Sequence, residues 1–270
     1  MLVQRFFSSI ILAILFVAAI FFLPKWAFAV LTIVFCALGT YEFYALMEKK
    51  GIRTLKFLGT FIAAAIPFAV FKKLELTGCW DFLFIVSAIL ALFIVQFTRK
   101  KNDDAVTAIS LTLFGVFYVS CLLSFLLKIF VLPHGNLFIF FLLVVTKMGD
   151  VAAYIGGSRF GKHLLIKRIS PKKTVEGAVF AFITTLLLSC ASKIYLPQIP
   201  LVHLFLLGIF LSILGQVGDL SESLIKRNCQ IKDSGNLIPG FGGVLDLVDS
   251  ILFAAPALYF YLIYTGIILK

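Results

Sequence analysis

An all-α polytopic membrane protein is the fold class this sequence predicts, and three observations predict it. Hydrophobic residues make up 61% of the 270 residues and charged residues 14%, against roughly 45–50% and about 25% in soluble globular chains. With a mean hydropathy of +1.09, too little polar surface remains to cover a water-soluble globule. The apolar residues also fall in runs near the roughly 20 residues that a helix needs to cross a bilayer. Finally, Lys and Arg crowd into alternate loops, as membrane orientation requires. The same composition excludes a disordered chain, a coiled coil, a collagen and a disulfide-framed mini-domain.

In chain order about nine spans are expected, at about 5–23, 26–47, 55–71, 80–98, 105–130, 137–157, 176–196, 199–225 and 249–268. Ala27-Phe28-Ala29 resembles a signal-peptide cleavage site, but the apolar run before it exceeds the roughly 7–15 residues of a signal core. The first run therefore reads as a retained helix. One set of loops holds Arg5, the group Lys49, Lys50, Arg53 and Lys56, and the group Arg99, Lys100 and Lys101. The same set holds Arg159, Lys162, Lys167, Arg168, Lys172 and Lys173, then Lys226, Arg227 and Lys232. The opposite set holds Lys25, Lys72, Lys73 and Lys270. Positive residues stay cytoplasmic, so the N-terminus is expected inside and the C-terminus outside. Residues 1–130 then form an N-terminal region of about five spans. Residues 131–270 form a C-terminal catalytic region of about four, with cytoplasmic loops 158–175 and 226–248.

The net charge of +11 is largely this orientation signal, together with attraction to anionic lipid headgroups. No nucleic-acid partner is expected. Cys36, Cys79, Cys121, Cys190 and Cys229 are dispersed, and His134, His163 and His203 share no metal-ligand spacing. Neither set suggests a disulfide framework or a zinc site.

Chemistry concentrates in the second half. Before residue 130 the main intramembrane ionisable groups are Glu42 and Lys128. Asp150, Asp219, Glu222, Asp246 and Asp249 each adjoin or interrupt an apolar run, where a carboxylate is costly unless paired, metal-bound or facing water. Asp219 and Glu222 are three apart, as are Asp246 and Asp249, so each pair shares a helix face. Carboxylate oxygens are hard ligands suited to Mg²⁺. Two competing readings stay open. Lys147 and Asp150, also three apart, can neutralise each other, and Asp246 and Asp249 suit the start of a helix.

Basic, glycine-containing segments surround these acids. The first is Gly156-Gly157-Ser158-Arg159-Phe160-Gly161-Lys162, and the second is Ser170-Pro171-Lys172-Lys173-Thr174-Val175-Glu176-Gly177. The third runs from Lys226-Arg227 through Lys232-Asp233-Ser234-Gly235 to Pro239-Gly240-Phe241-Gly242-Gly243. Helix starts and glycines let backbone N–H groups approach an anion, and Lys is a compact charge for phosphate. No segment matches a P-loop or a dinucleotide fingerprint. Together they imply a Mg²⁺-dependent reaction on a polyphosphate.

The stretch Ser223-Leu224-Ile225-Lys226-Arg227, followed by Lys232-Asp233-Ser234-Gly235 and Ile238 to Asp249, closely resembles the signature of phosphatidate cytidylyltransferases, the CDP-diglyceride synthases. Asp150 with Ala153-Tyr154, Gly161-Lys162, Ser170 to Gly177, and Gln216 to Ser223 resemble further blocks of that family, so the resemblance covers roughly 145–255. The family usually has His where this chain has Phe241 and Arg where it has Leu247. No role of those two side chains is carried over.

The resemblance implies transfer of CMP from CTP to phosphatidic acid, giving CDP-diacylglycerol and pyrophosphate, with Mg²⁺ as cofactor. It implies catalytic roles for Asp219, Asp246, Lys226 and Lys232, and a metal set of Asp219, Asp246, Asp249 and Asp150. Ser170, Lys172, Lys173, Ser223, Arg227, Gly242 and Gly243 are the implied substrate-binding residues. A second, monovalent cation and a homodimer stay open. The expected setting is the inner membrane of a bacterial-type cell, with the active site facing the cytoplasm. A phosphate monoester has a second pKa near 6, so the attacking lipid needs no His or Ser nucleophile. The alternatives are another Mg²⁺-dependent nucleotide or lipid-phosphate transferase, an inactive homologue of the family and, last, a transporter, for which internal symmetry is expected.

Overall fold

The computed structural model describes residues 2–72, 80–99, 104–235, 237 and 242–267. Lys73, Cys79, Lys100, Lys101, Ile238, Pro239, Gly240, Phe241 and Lys270 lie outside the described residues.

Helix dominates because a lipid-embedded chain must satisfy its backbone N–H and C=O groups internally. The order is α1 (Leu2–Phe21), α2 (Lys25–Lys49), α3 (Lys56–Phe71), α4 (Trp80–Phe97) and α5 (Ala105–Gly115). A π-helical turn, Val116–Cys121, joins α5 to α6 (Leu122–Phe130) in one rod. Then come α7 (Gly135–Phe160), a β-hairpin, α8 (Val175–Ala191), α9 (Leu201–Asn228) and α10 (Val244–Thr265). Among the described residues, 6 helices are long and apolar enough to cross a membrane: Lys25–Lys49, Ala105–Phe130, Gly135–Phe160, Val175–Ile194, Leu201–Asn228 and Val244–Thr265. Where spans 1, 3 and 4 were expected, the structure has α1 of 20 residues, α3 of 16 and α4 of 18, so α3 is the short one.

The expected loop 158–175 is largely structured. α7 runs on to Phe160, and the hairpin pairs β1 (Leu164–Ile166) antiparallel with β2 (Ser170–Thr174). Glu176 in the first turn of α8 ties the hairpin base down, accepting from the Lys162 N–H at 3.1 Å and the His163 N–H at 3.2 Å. The Thr174 hydroxyl oxygen caps α8 by accepting the Gly177 N–H at 3.2 Å. Likewise the expected loop 226–248 shortens, since α9 extends to Asn228 and α10 begins at Val244.

The most extensive packing is α7 on α8 and α9 on α10, followed by α2 on α3 and α8 on α9. The main apolar core includes Phe43, Leu127, Phe141, Leu211 and Leu252, so it joins helices from both sides of residue 130. A smaller cluster around Ile62, Leu92 and Ile109 joins α3, α4 and α5. Large apolar side chains such as Ile14, Phe61, Leu187 and Val202 face outward, as lipid contact allows. Lys50 Nζ donates to Asn228 Oδ1, and the Arg99 guanidinium donates to the Thr54 carbonyl at 2.9 Å. The C-terminal ends of α2, α4 and α9 therefore meet at one end of the bundle.

Candidate active site

α7, α8, α9 and the hairpin surround a cavity of about 550 Å³. Asp150 reaches it from α7, Ser170, Lys172 and Lys173 from β2, and Gln216 and Asp219 from α9. The strand matters here, because it fixes two adjacent lysines immediately before the capped start of α8. Lys173 Nζ stands 2.5 Å from Asp219 Oδ2. Among the described residues that buried ammonium has no partner besides Asp219, which leaves its further N–H groups to an anion that reaches it. The rest of the lining is mostly apolar, with Ala181 and Leu211 beside the small hydroxyl side chains Thr146, Thr185 and Ser212.

Behind this cavity lies a second layer from α10. Lys147 Nζ donates to Asp150 Oδ2 at 3.2 Å and to Ser250 Oγ at 2.8 Å, and Ser250 Oγ lies 2.9 Å from the same Asp150 oxygen. The i,i+3 neutralisation of Asp150 read from the sequence is thus present. Asp249 is buried within electrostatic reach of Lys147, Asp219, Glu222 and Asp150.

Nearby, a separate cluster centres on Lys226. Its Nζ bridges Glu222 Oε2 at 2.6 Å and Asp246 Oδ1 at 2.5 Å. The other Asp246 oxygen accepts the Ser234 N–H at 2.8 Å, the Ser234 hydroxyl at 2.7 Å and the Gly243 N–H at 2.8 Å. Asp246 therefore caps the helix that carries it. Gly242 turns the chain into this cap at φ +107°, a region that a Cβ makes costly.

Of the residues singled out in the sequence, the cavity unites Asp150, Ser170, Lys172, Lys173 and Asp219, with Asp249 behind them. Lys226, Asp246, Gly242 and Gly243 belong to the second cluster. Arg227 and Lys232 are exposed and Ser223 is half-buried, and none of the three lines the cavity. Among the described residues, no group of three or more His, Cys, Asp or Glu side chains is arranged to hold a metal ion. Instead a lysine stands against each of Asp150, Asp219 and Asp246.

Residues 3–265 match the model of the Cytidylyltransferase family. The chain belongs to this family. The phosphatidate cytidylyltransferase of Bacillus subtilis (strain 168) is 32% identical, over 96% of this chain and 97% of the relative. Proteins of the same name from Synechocystis sp. and Chlamydia pneumoniae are 29% and 30% identical, over 96% and 94% of this chain and 96% and 88% of the relatives.

Within this cytidylyltransferase chain the structure adds residues that spacing did not assign. Ser250 links Lys147 to Asp150, Ser234 cradles Asp246, and Glu42 of α2 reaches the same segment. A lone acid in an apolar span is a signal in itself, and Glu42 carried it. Ser250 carried none, and Ser234 was marked only as part of the quoted signature, since a serine's role depends on what its hydroxyl faces.

Proposed function

We propose that the protein transfers CMP from CTP to phosphatidic acid, forming CDP-diacylglycerol and pyrophosphate. One observation carries this reading: a cavity with a polar end of Lys172, Lys173, Asp150 and Asp219 and a mostly apolar remainder, in a chain whose residues 3–265 match the family. An oxygen of the lipid phosphate attacks the α-phosphorus of CTP, and the bond from that phosphorus to the β-bridging oxygen breaks. Pyrophosphate leaves with that oxygen. The lipid monoester is largely dianionic at neutral pH, so the protein's task is positioning and charge neutralisation.

Ser170, Lys172 and Lys173 are assigned to the triphosphate, with Arg227 and Lys232 as further cations. Lys226, fixed between Glu222 and Asp246, is assigned to charge developing at the transferred group. Ser223, Gly242 and Gly243 are assigned to substrate contact. Carboxylate oxygens suit Mg²⁺, and Asp219 and Asp246 with Asp249 or Asp150 would hold it, Asp246 only by exchanging its contact with Lys226 for the ion. Such an ion takes one or two carboxylates and completes its shell with substrate phosphates and water, so a preformed cage of acids is not required. When bound, it would neutralise phosphate charge and align the attack.

The proposal places about nine membrane passages, the N-terminus inside and the cavity mouth at the cytoplasmic face of an inner membrane. Support comes from the basic loops of α2, α4 and α9, which meet at one end, and from the retention of such loops in the cytoplasm. The test is purified protein in detergent micelles with phosphatidic acid, Mg²⁺ and labelled CTP, set against UTP, dCTP and ATP. CDP-lipid formed from CTP is the expected result. No nucleotidyl-lipid from any of the four would overturn the proposal.

A further inference from the structure

Glu42 lies in α2, outside the helices that surround the cavity, and is only 4% exposed. A carboxylate buried among apolar helices is costly unless donors satisfy its oxygens. Its donors all come from the segment around the start of α10. Oε1 accepts the Val244 N–H at 3.0 Å, and Oε2 accepts the Leu245 N–H at 2.9 Å and the Ser234 hydroxyl at 3.2 Å. Val244 and Leu245 open α10, and the first N–H groups of a helix have no partner within it. Glu42 thus caps α10 from a helix some 200 residues away in the chain, with the charge that a helix N-terminus favours.

The same serine hydroxyl lies 2.7 Å from Asp246 Oδ2. It has one hydrogen to share between two carboxylates, so Ser234 couples Glu42 to Asp246 directly. Two glycines of the signature press on the Glu42 carboxylate as well. A Cβ on Gly235 would stand 2.7 Å from Glu42 Oε1, and one on Gly243 would collide with Oε2 and with Ser234 Oγ. These glycines leave the space that the Glu42 carboxylate fills.

We propose that Glu42 is a positioning residue for the cytidylyl transfer: its carboxylate gathers Ser234, Gly235 and the first turn of α10 into one arrangement. Asp246 then meets Lys226 in a single orientation. The inference rests on the proposed reaction, and it gives an apolar N-terminal helix a part in the chemistry of the C-terminal half.

Glu42→Gln keeps the size of the side chain but turns one amide donor toward a backbone N–H or the serine hydroxyl. The turnover number is expected to fall about tenfold or more, while KM for CTP changes less than about twofold, because no substrate contact is lost. Hydrogen exchange of the Val244 and Leu245 amides is expected to quicken in the same variant, and this needs no substrate. Adding Ser234→Ala should lower turnover by less than the product of the two single losses, since both residues share the Ser234 hydroxyl while Glu42 also holds the Val244 and Leu245 N–H groups. Wild-type turnover in Glu42→Gln, a rise in KM alone, unchanged exchange at Val244 and Leu245, or additive losses in the double variant would each overturn the positioning role. Should Glu42→Gln not reach the membrane, Gly235→Ala pushes a methyl to 2.7 Å from Oε1, and wild-type turnover there overturns it equally. A wild-type protein that makes no CDP-lipid would instead overturn the proposed reaction, with the exchange result still deciding whether Glu42 holds the segment.

Discussion

Lys226→Met removes one charge from a buried three-membered chain. The Lys226 side chain is 12% exposed, against 0% for Glu222 and 10% for Asp246. Asp246 keeps the donors of Ser234 and Gly243 after the change. Glu222 does not fare as well: Oε2 loses the ammonium at 2.6 Å, and Oε1 is already buried without a hydrogen-bond partner among the described residues. Breaking a buried ion pair from one side costs about 3–5 kcal/mol, and Met replaces most of the aliphatic stem. The loss should therefore fall near that range and should trace to Glu222. Adding Glu222→Gln removes the stranded charge and should restore most of the stability, because a neutral pair in such a place is often no worse than an ionic one. Denaturant unfolding in detergent micelles, followed by circular dichroism, reads both variants. Stability within about 1 kcal/mol of wild type for Lys226→Met, the scale of a solvent-exposed pair, would refute the reasoning. So would a double variant weaker than the single.

Other perturbations probe other parts of the site. Lys173→Met removes a buried ammonium from the cavity, and a lost charge-assisted hydrogen bond of about 1.5–3 kcal/mol should raise KM for CTP roughly 10- to 100-fold; an unchanged KM removes Lys173 from the nucleotide site. Gly242→Ala forces a Cβ onto φ +107° and within 2.7 Å of Asp246 Oδ2, so it should cost about 1–3 kcal/mol of stability and lower turnover. A wild-type melting curve with wild-type turnover would contradict that cost. Chelation with EDTA should stop product formation without altering the circular dichroism, and added Mg²⁺ should restore it; turnover that persists in EDTA contradicts the metal role of the carboxylates.

The all-α membrane class was legible because its cause is summed along the chain. Long apolar runs need no knowledge of which helix touches which. The limits appear where local geometry intervenes. Leu164 to Thr174 reads as loop, yet backbone pairing and the Glu176 tether fold it into a hairpin, and that hairpin aims Lys173 at Asp219. Acidic residues were visible one by one, since each interrupts an apolar run. Their grouping was not, because i,i+3 spacing shows only which side chains share a helix face. Asp219 faces the cavity and Lys173, whereas Glu222, three residues on, is sealed against Lys226. The partnership of Glu42 with residues 234–245 spans nearly the whole chain, and only tertiary packing brings it about.

Product formation by Asp219→Asn decides whether the cavity between α7, α8 and α9 is where CTP meets its lipid acceptor. Wild-type protein and Asp219→Asn, purified to equal amounts from the membrane, would be given labelled CTP, Mg²⁺ and phosphatidic acid. Loss of an interaction made in the transition state should lower CDP-lipid formation about 100-fold or more in the variant, with Asp246→Asn falling alongside it. Wild-type turnover by Asp219→Asn would contradict the assignment and move the reaction away from this cavity.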